Sequence, residues 1–184
     1  KKGEDFWIWL QLKVIADVGI IGLPNAGKSS LLASITRARP KIASYPFTTL
    51  DPNLGVSYYD NREVTLADIP GLVEGAHKGT GLGDKFLRHV ERCKILLHLI
   101  DLSQDNLLES YLKIRNELSK YDKNLIKKKE LIFFNKSDLV EKKEMIKKIE
   151  IFKRKIKSEF NIISVFSKND LTKIKKILLK NVNK

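Results

Sequence analysis

Gly22-Leu23-Pro24-Asn25-Ala26-Gly27-Lys28-Ser29 spells G-x-x-x-x-G-K-S, and its neighbours decide what the spelling means. The apolar run Val14 to Ile21 enters it, and Ser30-Leu31-Leu32-Ala33-Ser34-Ile35, which has the look of a helix, leaves it. Strand, glycine loop and helix form the context of a phosphate-binding loop. The glycines permit a tight path along which successive N–H groups turn inward, and the helix N-terminus adds partial positive charge at the same place. Lys28 then reaches phosphate oxygens and Ser29 offers a hydroxyl to magnesium.

Composition narrows the class. At 184 residues, with 42% hydrophobic and 31% charged residues, the chain is long enough for one domain with a full core and is not of disordered type. The single cysteine, Cys93, excludes an internal disulfide and fits a reducing, cytoplasmic setting. The three histidines and that thiol have no zinc-ligand spacing, and no apolar run has membrane-spanning length. A formal charge of +13 has two readings. One is a polyanion partner such as RNA; the other is a lysine-biased composition, since the excess gathers after Lys120 without interleaved aromatics.

Beyond the first strand and helix, read over 13–21 and 28–36, the stretch Arg37 to Pro52 is non-periodic. Gly55 to Tyr59 and Glu63 to Ala67 read as a hairpin turning at Asp60-Asn61. A glycine-rich loop and a short helix from Lys85 to Arg92 follow. Strands are then expected at Cys93 to Ile100, Glu130 to Phe134 and Asn161 to Val165. Helices are expected at Asn106 to Lys120, Val140 to Lys157 and Leu171 to Lys180. This alternation predicts a three-layer α/β fold: a mostly parallel six-stranded sheet with helices on both faces.

In such a sheet, ligands sit beyond the carboxyl ends of the strands. Asp68 closes one strand and can organise a magnesium shell, and Gly71 leaves its N–H free to approach a terminal phosphate. Asn135-Lys136-Ser137-Asp138 ends another strand. Asp138 can accept two hydrogen bonds from the guanine edge, which adenine cannot supply; Asn135 can brace the loop, and the Lys136 stem can cover the base. His77 and His89 lack a positioned partner in the sequence and read as structural.

With G-L-P-N-A-G-K-S, D-I-P-G and N-K-S-D in hand, the chain resembles translation-factor-class GTPases, and more narrowly the Obg family. The carriers of the narrower resemblance include Ala16 to Gly19, Pro40 to Ala43, Tyr45-Pro46-Phe47-Thr48-Thr49-Leu50, Pro52 to Val56, Ala67 to Ala76 and Phe86 to His89. The resemblance implies a P-loop fold and a GTP/GDP site built from Gly22 to Ser30, Phe47-Thr48-Thr49, Asp68-Ile69-Pro70-Gly71, Asn135 to Asp138 and Ser164-Val165-Phe166. It makes Thr49, with Thr48 as neighbour and alternative, the switch threonine; Ser29, Thr49 and Asp68 hold magnesium, and Lys28, Thr49 and Gly71 serve the hydrolysis. Ser167, Lys168 and Asp170 depart from the family's Thr-Gly and Gly, so the loop there is open.

Leu72 stands where Ras-like proteins hold a glutamine, which implies slow hydrolysis without an added group. Asn25 either braces its loop or, as in potassium-dependent GTPases of this kind, serves a K+ ion. The resemblance further implies association with the large ribosomal subunit in its assembly or in stress control. Two other readings stand beside it: a sensor of guanine nucleotides, or a GTPase that binds rRNA directly. The family places a glycine-rich domain before this module, so residues 1–12 read as its exit strand or linker and 13–184 as the GTPase domain, expected to be monomeric alone. The start at Lys1, with Met145 the one methionine, is the expectation for a piece of a longer protein.

Overall fold

Leu96 to Ile100 is almost unbroken in its apolarity because the strand that contains it is covered on both faces. This computed structural model describes residue 3 and residues 15–36, 41–42, 53–69 and 89–182. Its strands are β1 (Ala16–Ile21), β2 (Lys41–Ile42), β3 (Asn53–Tyr59), β4 (Arg62–Asp68), β5 (Cys93–Asp101), β6 (Glu130–Asn135) and β7 (Phe160–Ile162). Its helices are α1 (Lys28–Ile35), α2 (Leu107–Tyr121), α3 (Lys142–Lys155) and α4 (Lys168–Val182). Among the described residues, the strands make one sheet in the order β2-β3-β4-β1-β5-β6-β7.

β1 lies at the centre, parallel to β4 and to β5, with Val18 opposite Leu66 on one side and Ile95 on the other. The pleat sends alternate residues to opposite layers. Leu97, Leu99 and Phe133 join Leu31, Ile35, Ile174 and Leu178 beneath α1 and α4. Leu96 packs with Ile114 and Leu118 of α2, and Ile100 and Phe134 pack with Tyr111 and Phe152 of α2 and α3. Three layers result, and the loops leaving the parallel strands all gather at one end.

The six expected strands are present, and the differences lie at their edges. The two-residue β2 extends the antiparallel edge from within the stretch read as non-periodic, pairing Lys41 with Leu54. The hairpin turns at Asp60 and Asn61, whose φ values of 52° and 55° are the left-handed pair a two-residue hairpin loop demands. β7 ends at Ile162 instead of running to Val165: Ile163 N–H still reaches the Phe134 carbonyl of β6 at 2.8 Å, but the Ser164 N–H bonds to Asp170 and the Val165 N–H to Asn135. α4 begins three residues early, at Lys168, where the Ser167 hydroxyl accepts the Asp170 N–H at 3.3 Å. Of the short helix expected over 85–92, residues 89–92 are described: 89–91 are helical and Arg92 is in a turn.

One polar cluster lies between sheet and α2. His98, 1% exposed, meets Glu130 through Nδ1 at 2.8 Å and stacks on Tyr111 at 5.2 Å between centroids. Glu130 also accepts from the Tyr111 hydroxyl at 3.2 Å and pairs with Arg115 at 3.3 Å. Burial pushes the Glu130 carboxyl up, but the His98 hydrogen bond and the nearby positive charge outweigh it and hold it below its ordinary 4.5. A carboxylate so held accepts, so His98 donates from Nδ1.

A lowered carboxyl stabilises the fold fully above its ordinary value and loses that contribution as pH falls through the lowered one. Glu130→Gln is expected to cost about 3 kcal/mol near neutrality. In urea unfolding followed across pH, the gap from the parent protein should close below pH 4.5. A gap independent of pH would contradict the network.

Candidate functional site

The loop between β1 and α1 works only with glycine at its two bends. Gly22 has φ 152° and Gly27 φ 96°. A Cβ on Gly22 would strike the Leu99 carbonyl, and one on Gly27 the side-chain amide of Asn135. Asn25 takes φ 63°, a left-handed conformation that asparagine tolerates. Its side chain makes no hydrogen bond to another described residue. Gly27 caps α1 with no side-chain acceptor and no acidic residue in the first turn, which leaves the helix N-terminus open to an anion.

Lys28 is 7% exposed, and its ammonium donates to the carbonyls of Gly22 and Leu23, each at 3.1 Å. Burial lowers its pKa and the Asp68 charge pulls it back up, with a net lowering. Such a group is poised for a stronger anion. Ser29 Oγ donates to Asp68 Oδ2 at 2.5 Å, which brings the hydroxyl of α1 to the carboxylate ending β4. Asp68 Oδ1 is buried with no partner among the described residues. A buried carboxylate oxygen without a donor is costly, and a hard cation that prefers oxygen ligands relieves it. The residues present therefore fit magnesium.

The loop leaving β6 is tied at three points. Asn135 is fully buried; its Nδ2 donates to the Ala26 carbonyl at 2.9 Å, and its Oδ1 accepts from Val165 N at 3.2 Å. One side chain thus joins the phosphate loop, the β6 loop and the loop after β7. Lys136, at φ 67°, sends its ammonium to Asp101 Oδ2 at 2.6 Å. Burial raises the Asp101 carboxyl, but the bonds from Lys136 and from the Ser103 hydroxyl and N–H bring it below its usual range. Ser137 N donates to the Ile163 carbonyl at 3.2 Å. Asp138 follows on a short 3₁₀ turn, exposed.

These parts face one cleft of about 420 Å³, whose walls include Lys28, Ser29, Asn135, Asp138, Leu139 and Phe166. Asn25, Gly27, Ser30, Lys136 and Val165 also line it. The Val165 N–H is directed at Asn135, and Phe166 N donates to Ser164 Oγ at 3.2 Å. The loop left open by Ser167 and Asp170 is closed by those same residues through Ser164 N to Asp170 at 2.9 Å. Phe47, Thr48, Thr49, Pro70, Gly71, Leu72 and His77 lie outside the described residues; Ile69 is buried beside Asp68 and donates its N–H to Ile20 O at 3.3 Å. Sequence reasoning missed Asp101 and Ser103, though an Asp-x-Ser at a strand end is a known turn-forming signal. It also passed over His98.

Replacing Asn135 by Ala would leave Ala26 O and Val165 N buried and unpaired, a loss of about 2–4 kcal/mol. Thermal unfolding should register that loss, and any nucleotide the cleft holds should leave faster. A variant as stable as the parent would show that the three loops do not depend on this amide.

Residues 17–136 match the family model described as 50S ribosome-binding GTPase. A GTPase Obg of Pelagibacter ubique is 58% identical over 98% of this chain and 55% of its own length. One of Ehrlichia canis is 57% identical over 100% and 54%. The chain thus spans about half the length of these curated relatives. Among solved structures, the G domain of the T. maritima FeoB iron transporter superposes with TM-score 0.65 at 17% identity, over 89% of this chain and 96% of that one. A variant of Aquifex aeolicus Era bound to GDP.AlF4- does so at 0.66 and 23%, over 89% and 56%. Their likeness fixes the P-loop GTPase fold. With the glycine loop and the Asn135–Asp138 loop on one cleft, the chain belongs to the 50S ribosome-binding GTPase family, as a G domain of the Obg kind.

Proposed function

We propose that this domain binds GTP and GDP, hydrolyses GTP slowly and switches conformation between the two states. The observation that carries the reading is the Asn135 amide, which ties the loop carrying Lys28 and Ser29 to the loop carrying Asp138 across one cleft. In this reading the loop N–H groups and the α1 N-terminus receive phosphates, and Lys28 exchanges the Gly22 and Leu23 carbonyls for phosphate oxygens. Asp138 accepts from the guanine N1 and exocyclic amine. Ser29 and Asp68, completed by Thr49, hold Mg²⁺, which when bound neutralises phosphate charge. Thr49 and Gly71 sense the γ-phosphate and order the two switch segments.

Leu72 carries no group able to orient water, so unassisted turnover falls around or below the roughly 10⁻⁴–10⁻³ s⁻¹ of a Ras-like enzyme. The Obg relatives and the ribosome-binding family model support the large ribosomal subunit as partner, in its assembly or in stress control, and a cytoplasmic setting. Among the described residues no helix is long and apolar enough to cross a membrane. A related fold, Era, has been solved with MgGDPNP and a segment of 16S rRNA; with the +13 charge here it favours direct RNA contact as a second reading. We place residues 1–12 as the link to a preceding glycine-rich domain.

GTP turnover is expected to be slow alone and to rise when large subunits are added; state-dependent ribosome binding with no rise would make the protein a nucleotide sensor. Asp138→Asn should exchange guanine for xanthine preference, and retained guanine preference would sink the assignment. Turnover in potassium and in sodium tests Asn25: a K+ role predicts a higher rate in potassium, and equal rates exclude it. RNA affinity that falls steeply with salt would support the second reading.

A further inference from the structure

The loop between β1 and α1 is a wall with two faces. Asn25, Gly27 and Lys28 line the cleft, while Leu23, Pro24 and Ala26 line a separate cavity of about 190 Å³. Leu99 and Ile100 of β5 continue its apolar lining. One polar ring interrupts it. His98 borders the cavity at 1% exposure, with Nδ1 committed to Glu130 and one ring face covered by Tyr111. Its Nε2 makes no hydrogen bond to another described residue. With the proton on Nδ1, Nε2 of the neutral ring presents a lone pair. A buried polar atom left unpaired is costly, and a ligand in the cavity is placed to pair it.

Volume and lining select the occupant. A cavity of roughly 150 Å³ holds benzene, so this one holds a single six-membered ring with a small substituent. It falls short of the roughly 300 Å³ or more of sites for larger ligands, which excludes a second nucleotide. Asp101 also borders the cavity, but its oxygens are bonded to Lys136 and Ser103, so a cation finds one nitrogen and no free carboxylate. We propose that this cavity is an effector site for a small aromatic alcohol of the phenol class, held by its hydroxyl at His98 Nε2. The ring lies against Leu23, Ala26 and Leu99, and the exposed Gln104 gives the cavity a polar side toward solvent. An occupant supports the loop from its outer face, so less ordering remains when phosphates reach the inner one, and nucleotide affinity rises. That second step rests on the nucleotide reading of the cleft; the site itself does not.

Titrating phenol into the nucleotide-free protein, with the imidazole nitrogens of His98 observed by NMR, tests the site. Saturable binding should move the Nε2 resonance and leave Nδ1, still bonded to Glu130, nearly in place. Toluene has the same shape without a donor and should leave Nε2 unmoved. Phenol that fails to saturate, or an Nε2 that answers equally to toluene, overturns the assignment. Ser110→Phe puts a ring into the cavity from α2 and should abolish phenol binding. A Ser110→Phe protein that melts like the parent and still binds phenol overturns the site. With phenol saturating, GDP should bind about two-fold tighter or more, and phenol should bind the GDP-loaded protein tighter by the same factor. Equal GDP affinity with and without phenol, where both bind, overturns the effector role. A protein that takes phenol but no GDP overturns the nucleotide reading, and the effector step with it, while the site stands.

Discussion

The cleft depends on one buried amide. Asn135 has no exposure, and each end of its side chain is committed: the amide nitrogen to the phosphate loop, the oxygen to the loop after β7. An Asn side chain offers a donor and an acceptor on one short planar group, and Gln is a methylene too long for a space this filled. The fit also accounts for Gly27, since any Cβ there would enter the volume the amide occupies. Two motifs separated by more than a hundred residues thus constrain each other through a single contact. A buried hydrogen bond of this kind contributes modestly when made, but leaving either partner unpaired costs more.

Around that amide the sheet divides its chemistry by position. The strands supply apolar walls to both layers, while the segments beyond their carboxyl ends and the first turn of α1 supply the polar groups of the cleft. The Lys136–Asp101 pair shows how the division holds: an ammonium that would otherwise sweep solvent is held at 2.6 Å by the carboxylate ending the adjacent strand. The lysine stem is thereby laid along the cleft, and its left-handed backbone turns Asp138 outward onto the rim. The αL residue and the ion pair are one device.

Much of this was legible in residues whose spacing has a mechanical reason. The glycine loop, the strand-ending Asp68 and the N-K-S-D loop could be read because each needs a fixed residue type at a fixed distance, and the layers followed from alternating strand and helix patterns. What escaped was set by pairing across the fold. Asp101 and Ser103 looked like any strand end until β5 lay beside β6. His98 sat inside an apolar run, where nothing local signals the Glu130, Tyr111 and Arg115 that surround it. The end of β7 was misplaced because Ile163, Ser164 and Val165 have strand composition, while two of their N–H groups answer to side chains distant in sequence or a turn ahead. Local pattern reports propensity; the competing hydrogen bonds are tertiary.

Asp68 and Asp101 end parallel strands and Asp138 follows one, and position in the sheet alone would make them equivalent. Their surroundings do not. Asp101 has both oxygens occupied, by Lys136 and by Ser103, and so has nothing left to offer a ligand. Asp68 has one oxygen occupied by Ser29 and one buried with no donor among the described residues, a state that a cation resolves better than a neutral group. Asp138 is exposed at the rim, with neither oxygen in a hydrogen bond among the described residues, so both can turn to a pair of donors on an entering base. A carboxylate with no vacancy holds structure, one with a buried vacancy suits a metal, and one with two open oxygens suits recognition. In this fold the role of each acid is read from the bonds it has not made.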